Sequence, residues 1–244
     1  MSFESLGRIV VVIPTYDEVD NIARVVARLR AAVPEADVLI VDDNSPDGTG
    51  AVADELASGD DQVHVLHRPG KEGLGAAYLA GFAQALQSGY DVVCEMDADG
   101  SHQPEELPQL LAALGDADLV IGSRWIPGGS IVNWSRGREA LSRGGNLYVR
   151  ALLGIDVHDA TSGFRVFRRQ ALEKIDLETV RSAGYVFQTD LVARTLDAGL
   201  GVREVPIEFV ERVRGESKMS AGVAIESLRR ITGWGLRHRL GWPR

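Results

Sequence analysis

The chain has one cysteine, Cys94, in the middle of an apolar run. No intramolecular disulfide can form, and a lone thiol in such a run reads as buried and inert, as suits a cytosolic protein. Long apolar runs are also missing. Stretches such as Ile9 to Ile13 fall far short of the roughly 18 residues that a membrane span requires, and Met1 to Arg8 lacks signal-peptide anatomy. The familiar phosphate loops are absent. Pro14 to Glu18, after the first apolar run, contains no glycine, and Gly-x-x-x-x-Gly-Lys-Ser/Thr occurs nowhere. "RPGKEGLGAA" has three glycines and Lys71, yet its spacing is not that of a P-loop, so it reads as a loop and helix start bordering a site. The five histidines are scattered, which argues against zinc, and His102 reads as a solvated loop residue. Positive charge is scarce: 26 Lys and Arg against 35 Asp and Glu leave a net charge of −9, which argues against a nucleic-acid partner.

The 244 residues are 45% hydrophobic and only 6% aromatic, which fits one compact soluble domain with an aliphatic core. Ile9 to Ile13, Val38 to Val41, Val63 to Leu66, Asp91 to Met96 and Leu119 to Ile121 are short β-branched runs, as expected of strands covered on both faces. Asn21 to Val33, Gly75 to Gln87 and Glu105 to Leu114 carry helical stripes between them. The alternation predicts an α/β fold with a mostly parallel sheet. Further on, Arg124 to Arg136 reads as a polar, mobile connection and Leu141 to Leu153 as a helix. Thr161 to Arg169 then reads as a strand, Val186 to Ala198 as a helix and Val202 to Val210 as a strand.

Ligands of such sheets gather at the carboxyl ends of the strands. Four of the strand exits here are polar: "PTYDE", "DDNSPDGT", "DADGSH" and "GSRW". Each alone is compatible with an ordinary turn and helix cap; together they line one rim. In an extended "DAD", Asp97 and Asp99 would leave the same face of the chain. Paired carboxylates of this kind attract Mg or Mn, whose remaining ligands are often phosphate oxygens. Alone, the pair is equally an exposed acidic turn leading into the helix near Pro104.

In this order and spacing, "VVIPTYDEVDN", "VLIVDDNSPDGT", "MDADGSHQPE" and "VIGSRW" resemble the nucleotide-sugar-dependent glycosyltransferases of family two, which have the GT-A fold. The later "NWSRGREALS", "ATSGFRVFRR", "GYVFQTD" and "VERVRGESKMS" resemble the branch of polyprenol-phosphate mannosyltransferases. The resemblance runs from about Ile9 to Ser220. It implies a Rossmann-like catalytic domain over residues 1–219, with Pro14, Tyr16, Glu18 and Asp43 lining a nucleotide pocket. It implies Asp97, Asp99 and Ser101 around Mg or Mn, with Asp99 the main ligand. Arg124, Arg138 and Ser142 match residues that hold a lipid phosphate, and Arg212 and Lys218 match a basic pair that faces the donor. Asp97, Asp99, Arg124 and Lys218 are thereby the expected catalytic set. The expected reaction moves mannose from GDP-mannose to polyprenyl phosphate with inversion. Residue spacing does not distinguish that donor from UDP-glucose, and a nucleotide-binding module without turnover is a further alternative.

From Arg212 to Arg244 there are eight Lys or Arg against two Glu, a local excess of six. Residues 220–244 form a basic, Trp-containing amphipathic pattern over Ala221 to Leu240. It reads either as a helix on the cytoplasmic membrane surface or a membrane-anchoring partner, or as a helix docked on the catalytic domain.

Overall fold

The computed structural model describes residues 3–180, 185–211 and 232–233. The first half alternates as the apolar runs predict: β1 (Ile9–Thr15), α1 (Ile22–Ala32), β2 (Asp37–Asp42), α2 (Thr49–Gly59), β3 (Val63–His67), α3 (Leu74–Gln87), β4 (Val92–Glu95), α4 (Leu107–Ala113) and β5 (Leu119–Ser123). Every residue of β1 is buried. Ile9, Val11 and Ile13 join one apolar cluster with α1 and α4, whereas Val10 and Val12 join a second with α3. A strand packed on both faces has no polar side to alternate with, which is why it reads as a continuous aliphatic run. α1 buries Ile22, Val25, Val26 and Leu29, the stripe expected from its spacing. α2 escaped sequence reading because its buried stripe is reduced to Thr49 and Ala53.

The second half comprises β6 (Ser130–Val132), α5 (Arg136–Leu153), β7 (Arg165–Arg168), α6 (Arg169–Lys174), α7 (Tyr185–Asp197), β8 (Val202–Pro206) and β9 (Glu208–Val210). A seven-stranded sheet runs β3-β2-β1-β4-β7-β5-β8. β7 is antiparallel to both β4 and β5, and the other neighbours are parallel. The order reverses between β1 and β4, whose carboxyl ends therefore open a crevice.

Four expectations need correction. β4 stops at Glu95, so Asp97 to Asp99 is not a continuation of the strand, and Ala98 and Asp99 lie in a turn. The connection after Arg124 is no free loop, because Ser130–Val132 pairs in parallel with Glu208–Val210. The strand expected over Val202 to Val210 accordingly splits at the buried Ile207, its second part leaving the main sheet. The helix expected from Leu141 starts at Arg136, capped by Ser135, whose hydroxyl accepts the Arg138 N–H, and it ends at Gly154 with φ 67°. No helix among the described residues is long and apolar enough to cross a membrane. Arg212, Lys218 and all but two residues of the expected C-terminal helix lie outside the described residues.

Candidate functional site

The loops after β1 and β2 are laced together at the crevice. The backbone N–H groups of Asp17, Glu18 and Val19 donate to Ser45 Oγ (3.2 Å), Thr49 Oγ1 (2.9 Å) and Asp47 Oδ2 (3.1 Å). Asp17 and Asn44 take left-handed conformations, φ 59° and 56°, which short polar side chains tolerate. Pro14 lies within β1 beside Val41, and the Lys71 ammonium stands 3.8 Å over the Tyr16 ring. Glu18 accepts from Asn21 Nδ2 at 2.8 Å, and the buried Asp43 pairs with Arg68 Nη1. Pro14, Tyr16, Glu18 and Asp43 thus share one rim, and Lys71 borders it.

The turn after β4 supplies the third side. Asp97 Oδ1 accepts from the Tyr78 hydroxyl at 3.2 Å, and Asp99 Oδ1 from the Ser101 N–H at 3.0 Å. His102 corrects the sequence reading: it is 2% exposed rather than solvated. Its ring stacks on Phe164 at 5.1 Å, meets the edge of Phe209 at 5.5 Å, and accepts the Asp97 N–H at Nδ1. Because Nδ1 accepts that N–H, the ring is neutral with its proton on Nε2, a state that burial favours by lowering the pKa. Tyr78, fully buried from α3, has its hydroxyl held protonated by burial and by Asp97.

Among the described residues no group of three or more His, Cys, Asp or Glu side chains is arranged to hold a metal. The carboxylate turn fits a different donor set. Ser101 Oγ is buried without a hydrogen-bond partner beside Asp99, and Asp97 and Asp99 add only hard oxygens. Such a set suits a divalent ion that takes one or two protein carboxylates and completes its shell elsewhere.

Below the turn, Glu95 and Arg165 are both 0% exposed, 3.9 Å apart. Burial raises the Glu95 pKa and lowers that of Arg165. Arg165 donates to the carbonyls of Ser162, Gln188 and Ala160 rather than to Glu95, which meets its charge only across 3.9 Å. This pair supports the floor of the site.

Across the crevice, Arg124 follows β5. Its Nε and Nη2 donate to the two oxygens of Asp159, both at 2.7 Å, and Nη2 also reaches Thr161 at 3.0 Å. Burial alone would raise the pKa of Asp159; Arg124 and the hydrogen bonds outweigh it and hold the carboxyl below its usual range. Arg138 Nη1 pairs with Glu211 Oε1 at 2.7 Å. One indole faces both cations: the Trp134 ring centre is 5.6 Å from the Arg124 guanidinium carbon and 4.1 Å from that of Arg138. Arg138, Ser142 and Asn146 follow at i, i+4 and i+8, one row of α5. Asn146 Nδ2 donates to the Ser142 carbonyl at 3.1 Å and to Thr161 at 3.1 Å. A cavity of about 230 Å³ opens beside this wall, lined in part by Arg124, Trp125, Arg143 and Arg150.

Phe209 joins the two sides. Its ring meets His102 at 5.5 Å and Trp134 at 5.5 Å, each at 76°, so an aromatic chain runs from the carboxylate turn to the arginines. Val210 N–H donates to the Ser101 carbonyl, which fixes β9 against the turn.

The model of glycosyl transferase family 2 matches residues 10–176. The chain belongs to that family. An undecaprenyl-phosphate mannosyltransferase of Micrococcus luteus is 54% identical over 232 residues, covering 95% of this chain and 96% of that protein. A polyprenol monophosphomannose synthase of Mycolicibacterium smegmatis is 54% identical over 235 residues, covering 96% and 89%. Among solved structures, glucosyl-3-phosphoglycerate synthase of Mycobacterium tuberculosis with phosphoglyceric acid shares the fold, with a TM-score of 0.69 and 22% identity over 100% of this chain and 86% of that one. The same enzyme with Mn2+, UDP and glucosyl-3-phosphoglycerate gives 0.68 and 23%, covering 100% and 86%.

For this family 2 glycosyltransferase, sequence reasoning missed Tyr78, Glu95, Asp159, Arg165 and Phe209. Asp159 and Arg165 had a usable signal, an isolated acid and an isolated base in the short stretch "DATSGFR". Tyr78 and Phe209 had none, since each matters through a partner far away in the chain.

Proposed function

We propose that the protein transfers mannose from GDP-mannose to polyprenyl phosphate with inversion, giving polyprenyl-phosphate β-mannose and GDP. The observation that carries this reading is the 54% identity, spread over nearly the whole chain, with two relatives named for mannosyl transfer to such lipids. The geometry supports it: an oxygen-rich turn faces a wall that carries Arg124, Arg138 and Ser142 across one crevice.

In this reading Pro14, Tyr16, Glu18 and Asp43 hold the nucleotide, and Asp97, Asp99 and Ser101 would hold Mg2+ or Mn2+, whose positive charge would stabilise the departing diphosphate. Arg212 and Lys218 add positive charge to the same group. Arg124, Arg138 and Ser142 grip the acceptor phosphate, already an anion, so that its oxygen attacks C1 as the bond from C1 to the diphosphate breaks. No proton has to move, and the buried, neutral His102 is not required as a base. Residues 1–219 form the catalytic domain in this proposal. Residues 220–244 bring it to the cytoplasmic face of the membrane, directly or through an anchoring partner.

The test is transfer of label from GDP-mannose, with UDP-glucose in parallel, into a lipid extract containing polyprenyl phosphate, with Mg2+ or Mn2+ and with chelator. Label from GDP-mannose alone, lost in Asp99→Ala and with chelator, supports the proposal. Label only from UDP-glucose overturns the donor, and metal-independent transfer overturns the role of the carboxylate turn.

A further inference from the structure

On the wall that carries Arg124, Arg138 and Ser142, the Arg124 guanidinium is clasped by a buried carboxylate. Asp159, 0% exposed, accepts from the Arg124 backbone N–H at 3.0 Å and from Nε and Nη2 at 2.7 Å each. The carboxylate takes two further donors, Thr161 Oγ1 at 3.2 Å and Asn146 Nδ2 at 3.4 Å. Its own place is fixed from β8, because the Asp159 N–H donates to Glu204 Oε1 at 2.9 Å and the His158 N–H to Glu204 Oε2 at 2.8 Å. Asn146 also donates to the carbonyl of Ser142, so the helix that presents Ser142 is referenced to the same carboxylate.

We propose that Asp159 is a positioning residue for the acceptor, acting through Arg124 by fixing the plane of its guanidinium before the lipid phosphate arrives. This rests on the acceptor reading of Arg124 given above. A planar fork held at two atoms has already lost its rotamer freedom, so a phosphate that meets it does not bear that cost. Lysine carries the same charge without the fork, and alanine carries neither.

The experiment is steady-state kinetics with GDP-mannose and a short-chain polyprenyl phosphate on Arg124→Ala, Arg124→Lys, Asp159→Asn and the double variant Asp159→Asn/Arg124→Ala. Asp159→Asn should raise the acceptor KM roughly tenfold and leave the donor KM within about twofold. On the Arg124→Ala background it should add less than about twofold, because both changes remove one interaction. An unchanged acceptor KM, equal rises for donor and acceptor, or losses that multiply would each overturn the inference and leave Asp159 a fold-holding residue. If Asp159→Asn does not fold, Arg124→Lys decides: an acceptor KM as high as that of Arg124→Ala supports positioning, and a normal one overturns it. An Arg124→Ala enzyme with a normal acceptor KM would instead remove the acceptor reading of Arg124 itself.

Discussion

Nδ1 of His102 accepts the backbone N–H of Asp97 at 3.1 Å, so a ring buried between Phe164 and Phe209 sets the geometry of the turn that carries both carboxylates. His102→Phe keeps an aromatic ring in that slot and removes the acceptor. The Asp97 N–H then loses this partner, which costs about 1–3 kcal/mol. An unfolding free energy from urea titration lowered by that amount, together with a raised metal requirement for transfer, is the expected result. An unchanged unfolding free energy would show that the turn holds itself.

The Glu95–Arg165 pair is asymmetric. Arg165 satisfies three carbonyls, whereas Glu95 receives no hydrogen bond from Arg165, whose Nε lies 3.9 Å away. Arg165→Met is therefore expected to cost about 3–5 kcal/mol, the range for breaking a buried pair, and Glu95→Gln distinctly less. Denaturant unfolding of both variants checks the ranking, and a larger loss for Glu95→Gln would refute it.

Two glycines in helices should respond in opposite directions to alanine. A Cβ on Gly81 would lie 2.4 Å from Val12 Cγ1 and 3.2 Å from Val41 Cγ2, where α3 crosses β1 and β2. Gly81→Ala should lose about 1–3 kcal/mol through overpacking. Gly144, exposed within α5, has nothing within 4 Å of the added atom. Gly144→Ala should gain up to about 1 kcal/mol from helix propensity alone. Melting temperatures that fall for the first and rise for the second would bear this out.

Tyr90 provides a pH signature at the far end of the sheet. Burial and its hydrogen bond to Asp37 raise its pKa to about 12. The folded state therefore keeps the phenol proton to higher pH than the unfolded chain, whose phenol titrates near 10. The contribution is fully present below about pH 10 and is lost as pH rises through about 12. Tyr90→Phe should flatten the fall in stability across that window, measured by urea unfolding at stepped pH. A fall of the same size in the variant would assign it elsewhere.

The nucleotide half was legible in the sequence because its physics is local. β-Branched runs covered on both faces, helical stripes such as Ile22, Val25, Val26 and Leu29, and polar residues at each strand exit all lie within a few positions of one another. The misread parts depend on distant partners. A solvated reading of His102 was reasonable until Phe164 and Phe209 closed over it, and although Asp159 stands out in its own stretch, nothing near Arg124 announces that the two pair. The direction of β7 was equally hidden, since an alternating tetrapeptide reads the same whether its neighbours run with it or against it.

β7 sits between β4 and β5 and is made after both. As the chain leaves the ribosome, β1 to β4 can pair at once into a four-stranded unit, but β5 emerges before either of its neighbours exists. Until residues 165–168 arrive, β4 keeps an unpaired edge and Glu95 lacks the guanidinium of Arg165. Closure of the sheet is thus a late, high-contact-order step, the kind that slows folding and leaves strand edges open to aggregation. Because Phe164 and Arg165 come with that strand, the carboxylate turn lacks its floor and one face of its ring support until the gap between β4 and β5 is filled. A nascent chain released before that point would carry the nucleotide-side motifs without a working site.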